Sequence, residues 1–240
     1  MFYILYIDEL MKRNLFYVFT TIIFLLAFAD VASAQSKHYY ERMREFRQRH
    51  DIDGSTIVMF GNSLTEKAGN WTARFKAHGV NATVVNYGIT GDNTAGMQQR
   101  LYLVTKHHPK AIFIMAGIND VNKSVSASTI FARQKKLIET IRRQSPNTRL
   151  VVESLLPFNQ SVRTWKPLVG QQKKVRDINR RLEAYCRKQH LTFVNLYPLF
   201  TDSDGVTLRR DLTTDGLHLT DEGYDVWIGK IKPLVESVCK

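Results

Sequence analysis

Ser63 lies in the segment Gly61-Asn62-Ser63-Leu64-Thr65, directly after the apolar run Ser55-Thr-Ile-Val-Met-Phe60. A short β-rich run that ends in Gly and Ser reads as a buried strand delivering a hydroxyl to its C-terminal edge. In open α/β sheets that edge is where ligands bind and chemistry is done. A serine alone there is more often a helix cap than a nucleophile, so its meaning depends on what the other strand ends carry. The second strand is followed by Tyr87-Gly88-Ile89-Thr90-Gly91-Asp92-Asn93 and the third by Gly117-Ile118-Asn119-Asp120. After the fifth, past a loop, comes Asp215-Gly216-Leu217-His218.

A hydroxyl, glycine-rich backbone, a carboxamide, an imidazole and a carboxylate are the groups acyl transfer needs. Ser63 would be the nucleophile and His218 the base that takes its proton. Asp215, three residues earlier, would hold the imidazole in one tautomer and stabilise its charged form. The tetrahedral oxyanion needs preorganised donors. The candidates are the backbone N–H groups of Ser63 and Gly91 and the side-chain amide of Asn119, glycine being suited to close backbone approach. This chemistry calls for no cofactor and no metal ion. The other six histidines, His38, His50, His78, His107, His108 and His190, fall in or near helices away from the strand ends.

The elements that must position these groups alternate regularly. Strands are expected over 55–60, 82–86, 110–116, 148–154 and 191–196. Helices are expected over 37–50, 71–78, 93–106, 126–144 and 169–189, and a last one from a Thr220 cap, kinked at Pro233. The helical assignments rest on apolar residues in phase, for example Met97, Leu101 and Val104, or Ile130, Leu137 and Ile141. Five apolar strands separated by amphipathic helices make a parallel sheet covered on both faces. Right-handed crossovers then favour a three-layer α/β/α sandwich, flavodoxin-like, with strand order 2-1-3-4-5.

The chain has 240 residues, enough for one full core. Residues 1–34 have the layout of a secretory signal peptide: Met11-Lys12-Arg13, an apolar stretch from Leu15 to Phe28, and Ala32-Ser33-Ala34 before Gln35. Met11 is a possible true start. The apolar stretch falls short of the roughly 20 residues needed to span a bilayer, so cleavage is favoured over a membrane anchor. The expected product is an exported, periplasmic or secreted domain over 35–240. The net charge is +12, but the basic residues are scattered over helix faces and form no nucleic-acid motif. Export permits a disulfide, yet Cys186 and Cys239 read better as structural or free thiols, and neither has metal-ligand spacing.

The four strand-end blocks, in this order, resemble the SGNH (GDSL-type) hydrolase family over essentially the whole of 35–240. Gly61-Asn62-Ser63-Leu64-Thr65 is similar to its nucleophile block and Gly88-Ile89-Thr90-Gly91-Asp92-Asn93-Thr94 to its second, whose oxyanion glycine maps onto Gly91. Gly117-Ile118-Asn119-Asp120 matches G-x-N-D, and Asp215-x-x-His218 matches the last. Tyr39-Tyr40-Glu41-Arg42-Met43 together with Gly-Asn-Ser-Leu-Thr-Glu resembles exported bacterial members of the sialate O-acetylesterase-like and platelet-activating-factor acetylhydrolase-like kinds. One departure is Asn62, where the family commonly has Asp. The G-x-S-x-G elbow of α/β-hydrolases is absent, since position 65 is Thr.

The resemblance implies a serine esterase acting on small-molecule or glycan esters. With no long lid in view, short acyl groups and O-deacetylation of a carbohydrate are favoured. A lysophospholipase or thioesterase activity is the same chemistry with another leaving group, and a non-catalytic glycan-binding module is the alternative of a different class. Around the site, Gly88 reads as a turn glycine, Asp92 and Asn93 as helix caps and Asp120 as a loop support. Glu153 has either a site role or, in preference, an ion pair. Arg209 and Arg210 either meet an acidic substrate or are solvated, and Trp71 and Trp165 either line the site or cover core.

Overall fold

A computed structural model of the chain describes residues 37–162 and 165–240; the leader expected over 1–34 lies outside them. The chain divides into two compact units, 1–42 and 43–240. The boundary falls inside a helix over 37–48, α1. Residues 43–240 carry the sheet and the strand-end blocks.

Five parallel strands form one sheet: β1 (Ile57–Gly61), β2 (Val84–Gly88), β3 (Ala111–Ile114), β4 (Arg149–Glu153) and β5 (Thr192–Val194), in the order β2-β1-β3-β4-β5. The expected order holds, and helices cover both faces. In β1 and β3 every residue is buried, as strands sandwiched between helix layers must be. Ile57, Met59, Phe113 and Val151 join one large core cluster with Trp71, Phe75, Trp227 and Ile231. Residues of the other parity, Val58, Phe60, Ile112 and Ile114, are equally buried.

The helices are α2 (Ser63–Glu66), α3 (Trp71–Ala77), α4 (Thr94–Arg100), α5 (Tyr102–Thr105), α6 (Ile118–Asn122), α7 (Ala127–Gln144), α8 (Gln172–Lys188) and α9 (Asp221–Cys239). α9 starts at the expected Thr220 cap, whose side chain accepts from Gly223 N–H, and carries Pro233 inside it. The helix expected over 93–106 is two, divided at Leu101. The second strand lies two residues later than expected. It runs into Tyr87 and Gly88 because Gly88 pairs with Gly61 at the end of β1. Gly88 is therefore a strand end and not a turn: a Cβ there would sit 2.3 Å from the backbone nitrogen of Glu66 in α2. Neither α2 nor α6 is visible as a pattern in the sequence, and each follows a strand directly at the edge where the chemistry gathers.

Candidate active site

The ends of β1, β2 and β3 turn without delay into a short helix or tight loop. At β1, Asn62 caps α2, its Oδ1 accepting from Leu64 N–H at 3.0 Å, so Ser63 is the first helical residue. Gly61 is required there because a Cβ would lie 2.1 Å from Thr65 Oγ1. At β2, Gly91 turns the chain with φ +77°, a conformation glycine adopts at no steric cost. Asn93 then caps α4 through Ala95 and Gly96 N–H. At β3, Gly117 (φ +134°) starts α6 and sets Asn119 in its first turn.

The last block is a loop closed on itself. Thr213 Oγ1 donates to His218 O at 2.7 Å and accepts from Gly216 N–H at 2.9 Å. Asp215 Oδ1 accepts from the backbone N–H groups of Leu217 (3.1 Å) and His218 (2.9 Å). Its other oxygen lies 2.8 Å from His218 Nδ1. A carboxylate only accepts, so Nδ1 carries the proton and Nε2 is left as an acceptor. Nε2 stands 3.0 Å from Ser63 Oγ, placed to receive the hydroxyl proton across 155 residues of sequence.

Ser63 and His218 are both buried. Burial opposes ionisation of Asp215, but the hydrogen bonds and charge of His218 and the Leu217 N–H outweigh it. Its carboxyl sits below the ordinary carboxylate range, ionised wherever the imidazole needs a partner. Trp165 stands edge-on to the His218 ring at 5.7 Å and donates its Nε1–H to Asp215 O at 3.2 Å. It lines the site. Trp71 does not: it is fully buried against Trp227, Tyr224 and Phe75 and donates to Thr65 O.

The second and third blocks are tied together. Asn119 Nδ2 donates to Asp92 O at 2.8 Å, one residue after Gly91, leaving the amide its second hydrogen. Asp120 accepts from Thr94 N–H (2.9 Å) and Thr94 Oγ1 (2.7 Å), and Arg133 pairs with it at 3.2 Å. Asp120 thus supports its loop as expected, by bracing it against α4. Asn93 is the expected cap. Asp92 is not a cap: its carboxylate is buried and ion-paired with Arg100 at 2.6 Å.

One further expectation is corrected. Among the described residues Glu153 makes no ion pair. It is completely buried, accepts from Trp227 Nε1 at 2.7 Å, and is pushed up to about 8 by desolvation, with the Trp227 bond pulling the other way. Asn62 keeps one buried orphan, Nδ2, which has no hydrogen-bond partner among the described residues. Arg209 pairs with Asp211 and Arg210 donates to Thr213 O. Cys186 is buried, Cys239 exposed, and both are free thiols. The residue the sequence reading missed is Arg100. Its signal was its place on the apolar stripe of α4, between Met97 and Leu101, where a cation has no reason to sit unless it is bound.

Residues 59–226 match the sequence profile of the GDSL-like lipase/acylhydrolase family. The rat platelet-activating factor acetylhydrolase IB subunit alpha1 is 31% identical over 173 residues, 70% of this chain and 69% of its own. A GDSL-like lipase from Bacteroides thetaiotaomicron superposes with a TM-score of 0.71 at 25% identity, over 83% of this chain and 97% of its own. An acetyl xylan esterase superposes at 0.62 with 16% identity, over 75% of this chain and 99% of its own, a likeness of fold. The chain belongs to the GDSL-like lipase/acylhydrolase family: it is a hydrolase of ester bonds, and not a non-catalytic module.

Proposed function

We propose that this enzyme is an exported serine esterase that removes short acyl groups, acetyl above all, from a carbohydrate through a Ser63 acyl-enzyme. The observation that carries the reading is the unbroken relay from Asp215 through both nitrogens of His218 to Ser63 Oγ. His218 Nε2 takes the Ser63 proton as Oγ attacks the ester carbonyl. Asp215 keeps the proton on Nδ1 and stabilises the imidazolium without becoming protonated itself. The oxyanion is received by the N–H of Ser63, the N–H of Gly91 and the second amide hydrogen of Asn119. Helix starts leave their first N–H groups without intrahelical partners, which suits the Ser63 N–H to this task. His218 then returns the proton to the departing alcohol. It next activates a water molecule that cleaves the acyl-enzyme and restores Ser63.

An aromatic ring beside the base, Trp165 at 5.7 Å from His218, supports a sugar as the leaving alcohol, since the apolar C–H face of a pyranose packs on aromatic rings. A second reading, acetyl removal from a phospholipid, is favoured by the 31% identity to a platelet-activating factor acetylhydrolase subunit. Export rests on the leader-like order of residues 1–34, and N-terminal sequencing of the natural protein should begin at Gln35. Substrate class is tested with p-nitrophenyl esters of increasing acyl length, an acetylated xyloside and an acetylated ether phospholipid. The reading expects kcat/KM to be highest for acetyl and the acetylated sugar to outrun the phospholipid. Preference for long acyl chains, or for the phospholipid, contradicts it.

A further inference from the structure

The guanidinium of Arg100 is buried beneath the two loops that carry Ser63 and Gly91. Nη2 donates to Gly61 O at 2.7 Å, two residues before Ser63. Nη1 donates to Tyr87 O at 2.8 Å, near the end of β2. Nε donates to Asp92 Oδ2 at 2.6 Å. Phe60 closes it from one side, with the guanidinium carbon 4.3 Å from the ring centroid. Asp92 is fixed a second time by Asn93 N–H, which donates to its Oδ1 at 2.9 Å. Gly96 leaves room for that oxygen: a Cβ there would stand 2.0 Å from it. The backbone carbonyl of the same Asp92 receives the Asn119 amide.

We propose that Arg100 is a positioning residue for the oxyanion site which, anchored on the Gly61 and Tyr87 carbonyls, aims the Asn119 carboxamide through Asp92. It touches no substrate. A planar fork with donors in three directions is needed to join two carbonyls and a carboxylate, and a lysine ammonium cannot span them in the same geometry. A solvated surface arginine would have no such consequence. This one has three acceptors: Gly61 O, two residues before Ser63, Tyr87 O, four residues before Gly91, and the carboxylate of Asp92, the residue that orients Asn119.

The proposal rests on Asn119 as an oxyanion donor, and a double-mutant cycle separates the two ideas. Arg100→Lys, Asn119→Ala and the double variant are assayed with p-nitrophenyl acetate, and folding is checked by circular dichroism. Arg100→Lys is expected to lower kcat by about tenfold or more with KM little changed, the mark of an interaction made in the transition state. In the Asn119→Ala background the same substitution is expected to cost less than about threefold, because the group it aims is gone. An equal loss in both backgrounds, or an unchanged kcat in Arg100→Lys, overturns the proposal while leaving the esterase reading intact. An Asn119→Ala enzyme as fast as the parent removes Asn119 from the oxyanion site and overturns the proposal with it, while the Asp215–His218–Ser63 relay stands. If Arg100→Lys does not fold, Asp92→Asn, which keeps the carboxylate's shape and removes its charge, enters the same cycle with the same outcomes.

Discussion

Glu153→Gln should change how stability depends on pH. Glu153 ends β4 with its side chain wholly buried, held by one hydrogen bond from Trp227. Desolvation lifts its pKa from the ordinary 4.5 to about 8, against the weaker pull of that bond. Below pH 4.5 the carboxyl is neutral in both folded and unfolded chains, and its contribution to stability is complete. Between 4.5 and 8 the unfolded chain ionises while the folded one does not. The unfolded state then binds fewer protons, and stability falls as pH rises. At about 1.4 kcal/mol per pH unit, the whole window is worth at most about 5 kcal/mol. Glutamine can still accept from Trp227 and does not titrate. Urea melts of both proteins at pH 5, 6, 7 and 8 should therefore diverge. The variant gains on the parent by up to about 4 kcal/mol from pH 5 to pH 8. Taking the difference cancels every other titrating group the two share. A constant difference across the range, or a parent that gains on the variant as pH rises, would show that Glu153 is charged in the folded protein.

Asp215→Asn should leave the fold intact and lower kcat by about 10⁴-fold, because an amide can stabilise the wrong imidazole tautomer; steady-state kinetics with p-nitrophenyl acetate measure it. Trp71→Ala removes a fully buried ring packed on Trp227 at 5.4 Å and should cost about 3–5 kcal/mol in denaturant unfolding. In the folded protein a thiol reagent should titrate Cys239 quickly and Cys186 only on unfolding, since burial pushes the Cys186 thiol up to about 11.

The sequence carried the sheet order and the chemical blocks for one physical reason: buried parallel strands must be apolar throughout, so their ends are marked where polarity returns. Ser63, Gly91 and Asn119 lie just past such a return, and Asp215 and His218 follow the longer loop after the fifth strand. What it hid is what no periodicity can encode. α2 and α6 are four and five residues long, too short for an apolar stripe. The end of β2 was misplaced because Tyr87-Gly88 looks like a turn until the Gly61 pairing is known. Asp92 and Glu153 could be ranked as polar groups near strand ends, but their partners, Arg100 and Trp227, come from helices packed on the sheet. Only the three-dimensional contacts turn a presumed cap into half of a buried ion pair, and a presumed ion pair into a neutral acid.

In the proposed reaction Ser63, activated by His218, forms a covalent bond to the acyl group. A fluorophosphonate probe reports it directly, because it phosphonylates a serine only where a base and an oxyanion site assist. Intact-mass analysis of the folded parent should show one stoichiometric adduct, mapped by peptide sequencing to Ser63, and none in Ser63→Ala. A folded parent that takes up no probe, or a Ser63→Ala protein that labels as fast, would contradict the account.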